Sequence, residues 1–281
     1  IRCRLWGREV EHNEFLNAQA RQAQSQWQEW SERYLAVLSS WVLLPAEAAA
    51  VAVSHYPDPD VAVQYRRVCK LDETSGRHHC FSQLSDSIFF KINELPVELP
   101  ILITLVTDSS LDDEEDLLTA LTICMAESVS NRPEPPQVRV RYKFSLLNIA
   151  ERLARPELTV ELVIIMQLNP ASHYSHGMAA LLLTSDDVAI KYKLDAQARI
   201  LRPMPVSTSD FNDEIEQFLT TQRPAVQATD VFVDSSNWHC EIGMLLTQGQ
   251  KQRAAWQAED IRIVERWSGV PGPYSPWIMA A

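Results

Sequence analysis

The sequence predicts a mixed α/β fold, sheets packed with helices, headed by one long N-terminal amphipathic helix. Residues 100–108, 158–168 and 177–184 are continuous apolar runs of strand length, as expected of strands covered on both faces. Between and after them, residues 117–129, 145–154 and 209–221 read as helices. Residues 11–38 are rich in Gln, Ala, Glu and Arg, with Phe15, Leu16, Trp27, Trp30, Tyr34 and Leu38 at roughly helical spacing.

Taken in order, the helix over 11–38 gives way to an apolar stretch, Trp41 to Pro45, that reads as a strand, and Pro57 and Pro59 mark a turn. Residues 61–69 alternate as an edge strand does, and 73–79 form a polar loop. After the strand at 100–108, Asp112, Asp113, Glu114, Glu115 and Asp116 occupy the first turn of a helix, where acids complement the dipole. They read as a solvated helix start, because a calcium loop needs alternating ligands and a glycine turn. Residues 133–136 are a stiff break, and 138–144 alternate apolar with basic side chains, the mark of a half-exposed strand. The runs at 158–168 and 177–184, joined by 169–176, read as adjacent central strands. Further strands are expected at 197–201, 229–234 and 241–247, with Ser209 capping the helix over 209–221. The tail, with Pro271, Pro273 and Pro276, is expected to lie as an extended arm. Two packed halves result: residues 1–150, with the long helix and a first α/β unit, and residues 151–281, a C-terminal α/β half.

Composition excludes several classes of function. Only seven of the 281 residues are glycine, none as Gly-x-Gly, so the chain offers no loop of the kind that cradles phosphates or dinucleotides. A net charge of −12 opposes nucleic acid and anionic lipid over most of the surface. With 46% hydrophobic residues and a mean hydropathy of −0.17, the chain reads as globular. No apolar run approaches the ~20 residues of a membrane helix. A cytoplasmic location is expected, although a chain beginning at Ile1 is compatible with a leader or anchor upstream. The five cysteines form neither a Cys-x-x-Cys motif nor an even framework; Cys69 and Cys80 flank a polar loop that a disulfide would close, and Cys124 reads as a buried thiol.

No cofactor or metal is implied. His173 and His176 are spaced for a metal only on a helix, and here they fall in a loop; His78-His79-Cys80 lacks a distant partner. Ser109, Ser110, Ser235 and Ser236 follow strong strands but lack the Gly-x-Ser-x-Gly elbow, so they read as loop or capping residues. Trp27 and Trp30 on the Gln-rich helix, and Trp267 and Trp277 in the proline-rich tail, lie where burial in the chain's own core is hardest to arrange, which makes them candidate partner-binding anchors.

Two resemblances follow from these elements. The strand Glu161-Leu-Val-Ile-Ile-Met-Gln, followed by Gly177-Met-Ala-Ala-Leu-Leu-Leu-Thr184 and the elements to Thr247, resembles the second half of a β-ketoacyl synthase or thiolase-like fold. It departs from that family where the chemistry lies, with no catalytic Cys in an elbow and no Gly-His-x-x-Gly-Ala segment. Residues 8–30, residues 38–45 and Asp234-Ser-Ser-Asn-Trp238 together look like the type VI lipase adaptor family of bacterial secretion systems. That resemblance implies a non-catalytic adaptor or chaperone binding a phospholipase effector and the secretion spike protein, with no catalytic residues to carry over. The alternatives are an acyl-transferring enzyme, with Cys124 or Ser109 as nucleophile and His173, His176 or His239 as base, or an envelope-associated structural protein.

Overall fold

The computed structural model describes residues 2–46, 67–71, 77–109, 113–129, 132, 135–207 and 209–281. The expected edge strand at 61–69 lies mostly outside them; its last described residues, 67–69, are irregular.

Helix α1 (Arg2–Glu32) stops before the predicted end, because residues from Tyr34 onward enter strand β1 (Tyr34–Leu43). The reason is burial on alternate faces. Leu35 and Val37 enter one apolar cluster and Ala36 and Leu38 another, a period of two that no helix satisfies. Phe15 and Leu16 are exposed, so these two apolar positions of α1 do not pack on the body.

The remaining elements are α2 (Arg77–Leu84), continued by a π-helical turn (Ser85–Phe89) and Phe90–Asn93; β2 (Ile101–Thr107); α3 (Glu114–Ser128); β3 (Gln137–Arg141); α4 (Leu147–Ala154); β4 (Val160–Gln167); β5 (Gly177–Ser185); α5 (Asp186–Tyr192); β6 (Ala198–Leu201); α6 (Phe211–Thr221); α7 (Arg223–Val226); β7 (Val231–Val233); a 3₁₀ turn (Ser236–Cys240); α8 (Ile242–Lys251); β8 (Ile261–Ile263); α9 (Glu265–Ser268); and α10 (Ser275–Ala280). A six-stranded sheet has the order β3-β2-β4-β5-β1-β6, with β3, β2 and β4 parallel and β5 antiparallel to β4. It takes strands from both sides of residue 150. β7 and β8 form a separate parallel pair.

Every residue of β4 and β5 is buried. Leu162, Ile164, Met166, Met178, Ala180 and Leu182 face a cluster with α2 and α3. Val163, Ile165, Ala179, Leu181 and Leu183 face the opposite cluster, which contains Ile149 and Leu153 of α4 and Trp277 of α10. Continuous apolar runs thus become the central strands of a three-layer α/β/α body. Helices over 112–129 and 145–154, and strands at 100–108 and 197–201, match the expected positions within a few residues.

Four further expectations are corrected. Residues 77–79, placed in a polar loop, begin α2. Of residues 241–247, expected as a strand, 242–247 lie in α8, because Leu245, Gln248 and Gly249 are buried at helical spacing and Gly249 admits the Trp256 ring, whose Cε3 would lie 2.8 Å from an added Cβ. The tail is folded rather than an extended arm: it runs from α9 into α10, and Trp277 is 1% exposed with its ring 4.8 Å from that of Phe144. The helix predicted from 209 starts at Phe211, and Ser209 makes no cap to it.

One ionic cluster is built into the sheet. Glu161, buried in β4, accepts hydrogen bonds from Thr104 Oγ1 and from Arg139 Nη2 (2.9 Å) through one oxygen, and pairs with Arg152 Nη2 (2.7 Å) through the other. Removing one partner of a buried pair leaves an uncompensated charge. Glu161→Ala is therefore expected to lower unfolding free energy by about 3–5 kcal/mol in chemical denaturation, and a loss below about 1 kcal/mol would refute the pairing.

Candidate functional site

Ligand sites of open α/β sheets lie beyond the carboxyl ends of the parallel strands. Here that edge is built around Asp108, one residue past β2. Its Oδ1 accepts the amide of Leu168 (2.9 Å), and its Oδ2 accepts the amide of Asn169 (3.2 Å) and the hydroxyl of Tyr174 (3.0 Å). Asn169 returns a bond from Nδ2 to the Asp108 carbonyl (3.3 Å). One carboxylate thus fixes both ends of loop 168–176. Burial first, then the hydrogen bond and charge of Asp108, push the Tyr174 phenol up to about 12.

The loop turns on Asn169, whose Oδ1 accepts the Ala171 amide (3.0 Å). Lys70 Nζ donates to the carbonyl (2.9 Å) and hydroxyl (2.8 Å) of Ser172. His176 Nδ1 accepts the Leu71 amide (3.3 Å), and Nε2 lies 3.2 Å from the Asn169 carbonyl, to which its proton is assigned. Both ring nitrogens are thereby committed to backbone. Burial holds His176 below its ordinary value.

Ser175 Oγ accepts the Cys69 amide (3.0 Å), and the Ser175 amide donates to the Val270 carbonyl (2.9 Å). Gln167 Nε2 donates to the Ser175 carbonyl (2.8 Å) while its Oε1 accepts the Tyr274 amide (2.9 Å). The Tyr274 hydroxyl donates to the Tyr142 carbonyl (2.7 Å). Two glycines permit this close packing: Gly269 has φ of 77°, and an added Cβ there would strike Ser175 Oγ and the Arg67 carbonyl, while a Cβ on Gly272 would meet the Gln167 side chain at 2.5 Å.

Above this network lies a cleft of about 210 Å³. Its walls are apolar, with Val42, Leu44, Phe232, Trp267, Ile278 and Met279; Gln167, Ser175 and His176 supply polar lining. Val42 and Phe232 stay exposed. An adjoining recess is lined by His173, Ser235, Ser236 and Glu265. Glu265 Oε2 accepts the Ser236 amide (2.6 Å), and among the described residues no hydrogen bond joins His173 to either serine.

The four candidate tryptophans divide. Trp27 and Trp30 are exposed on α1 and stack at 4.8 Å, with the Arg202 guanidinium 3.5 Å from the Trp30 ring centroid. Trp267 is half-buried in the cleft wall. Trp277 is core, since α10 gives it the shelter that a proline-rich arm would not. Of the alternative nucleophiles, Cys124 is buried on α3, and the amide of Ser109 donates to Thr107 Oγ1 (3.0 Å). His239 lies in the 3₁₀ turn on the far side of β7 in sequence. Cys69 and Cys80 are both buried and not joined in a disulfide. Among the described residues no group of three or more His, Cys, Asp or Glu side chains is arranged to hold a metal, and no helix is long and apolar enough to cross a membrane. The sequence reading missed the Asp108 network. Its only sequence signal is an acid directly after an apolar strand.

No family model matches the chain, and no curated protein resembles it. Solved structures do. An OleA variant from Xanthomonas campestris with cerulenin has a TM-score of 0.50 at 11% identity, covering 89% of this chain and 89% of that one. Cerulenin-bound OleA from the same organism scores 0.48 at 12% identity over 88% and 89%, and an OleA variant with bound lauric acid and lauroyl-CoA scores 0.46 at 10% over 88% and 89%. The likeness is one of fold: the chain has a mixed α/β fold of the thiolase-like kind.

Two predictions follow from the geometry. Gly269→Ala is expected to cost about 1–3 kcal/mol in denaturant unfolding, because the positive φ and the collision with the Arg67 carbonyl act together; an unchanged midpoint would exclude the close approach. The Tyr174 proton is held more tightly folded than unfolded, so its stabilisation is whole below pH 10 and is lost as pH rises through about 12. Asp108→Asn should move one phenol to earlier titration by tyrosinate absorbance; an identical curve would mean that Asp108 does not act on Tyr174.

Proposed function

We propose that this chain is a thiolase-like body that works by binding protein rather than by acyl transfer, serving as a cytoplasmic adaptor that carries a phospholipase effector to the type VI secretion spike. The observation that supports binding is the saturation of the polar groups at the site. Both nitrogens of His176, the Ser175 hydroxyl and the Gln167 amide are held by the chain's own backbone, while the cleft above them presents apolar side chains. A general base must be able to reach the proton it abstracts, and His176 is spent on Leu71 and Asn169. Trp267 and Phe232 are aromatic anchors at the mouth of a concave apolar site, the composition of a binding hot spot. The adaptor identity itself rests on the resemblance of residues 8–30, 38–45 and 234–238.

The fold favours a second reading, an acyl-transferring enzyme, since a cerulenin-bound OleA variant shares its topology. Two measurements separate the readings. Co-purification from the native bacterium should yield a phospholipase and a spike protein, and incubation with acyl-CoA should release no free CoA. Turnover that Cys124→Ala abolishes would establish the enzyme and overturn the adaptor.

Trp267→Ala is expected to weaken effector binding by at least ~2 kcal/mol, about thirtyfold in Kd, with unfolding little changed. Trp27→Ala and Trp30→Ala test the exposed pair on α1 in the same titration. Trp277→Ala is expected to act on stability instead, by about 3–5 kcal/mol. If binding survives the changes at Trp27, Trp30 and Trp267, these tryptophans are not the interface.

A further inference from the structure

The opposite end of β4 carries a different chemistry. Glu161 and Gln167 are six residues apart on β4, roughly 20 Å at the rise of a strand. Beside Glu161 is a recess of about 220 Å³ into which Arg139, Arg141, Arg152 and Arg155 converge, against the three carboxylates of Glu151, Glu157 and Glu161. On a chain of net charge −12, four guanidinium groups in one recess are a local reversal of sign.

The pairing within the recess is incomplete. Glu161 serves two arginines at once, Arg139 and Arg152. Arg152 Nη1 is sealed from solvent without a hydrogen-bond acceptor. Among the described residues Arg141 and Arg155 make no side-chain hydrogen bond or ion pair, although both line the recess. Register explains the convergence. Val138 and Val140 of β3 pack against the core with α2 and α3, which turns Arg139 and Arg141 together to the other face of the sheet, toward Arg152 of α4. Arg155 follows one turn after Arg152, where α4 ends. The cations also oppose one another: burial, and then the charges of Arg139 and Arg141 among others, lower the affinity of Arg152 for its proton.

We propose that this recess is a binding site for a phosphate group, held chiefly by Arg141 and Arg155 with Arg139 and Arg152 behind them. Guanidinium forks match the oxygens of phosphate in pairs, and a multivalent oxyanion supplies acceptors to the side chains of Arg141 and Arg155, which the carboxylates of Glu151, Glu157 and Glu161 leave without a hydrogen bond. The site is built from side chains, so it needs none of the glycine loops whose absence excludes nucleotide cradles. It lies away from the apolar cleft and does not depend on the adaptor reading.

The test is calorimetric titration of the intact chain with inorganic phosphate and pyrophosphate at matched ionic strength, with sodium chloride as control. Saturable binding is expected, and the double variant Arg141→Gln/Arg155→Gln, which leaves Glu161 and its partners in place, should weaken it at least about tenfold. Lys251→Gln, on the exposed end of α8, should leave it unchanged. Unfolding curves check that the variants fold. Co-sedimentation with phosphatidylcholine vesicles, with and without phosphatidic acid, assigns the source: acid-dependent sedimentation lost in the double variant identifies a lipid headgroup, whereas binding of free phosphate without sedimentation identifies a soluble ester. Absence of saturable binding of phosphate, pyrophosphate and vesicles alike, or binding that the folded double variant retains in full, overturns the site.

Discussion

A strand with no exposed residue must be covered on both faces, and β4 imposes that requirement on the molecule. Its eight residues are all buried, and so are the nine of β5 beside it. Apolar burial is worth about 25 cal/mol per Å², so two such strands are a large share of the driving force for folding. They demand a helical layer on each side. α2 and α3 supply one, and α4 with the returning tail supplies the other. The tail folds for this reason, its prolines notwithstanding: Tyr274 and Trp277 complete the second layer, and Tyr274 is tied to the body through Tyr142 and Gln167.

The same requirement shapes both sites. Where the tail crosses the carboxyl ends of the strands, Gly269 and Gly272 allow its backbone to press against Ser175 and Gln167, and the apolar cleft is the space left between tail and sheet. The polar groups at its floor are consumed in holding that crossing. At the other end of β4, a carboxylate buried in an otherwise apolar strand draws two arginines inward, and the register of β3 brings a third beside them. A buried charge is tolerable only when paired, so Glu161 organises its surroundings.

In this thiolase-like fold the polar edge of the sheet is turned to structural use, its groups engaged with the chain's own backbone. Folds host unrelated functions, and function resides in the site. The likeness to OleA is one of topology, and at the edge of the sheet His176 is held by backbone on both nitrogens.

The sequence by itself determined the α/β class, the central strands and two of the flanking helices, because continuous apolar runs and helical spacing report burial directly. Strands β2, β4 and β5 and helices α3 and α4 were legible in this way. Tertiary structure decided the rest. Tyr34 to Leu38 fit a helical spacing by eye, yet pairing with β5 and β6 makes them strand. Residues 241–247 fit a strand, but the Trp256 ring packed on Gly249 makes them helix. Trp267 and Trp277 share one proline-rich tail; the first lines a cleft and the second is core, packed on Phe144 where α10 meets the sheet. The Asp108 network and the arginine recess were invisible for the same reason. Each joins residues tens of positions apart, and no local periodicity encodes a contact between Asp108 and Tyr174, or between Arg139 and Glu161.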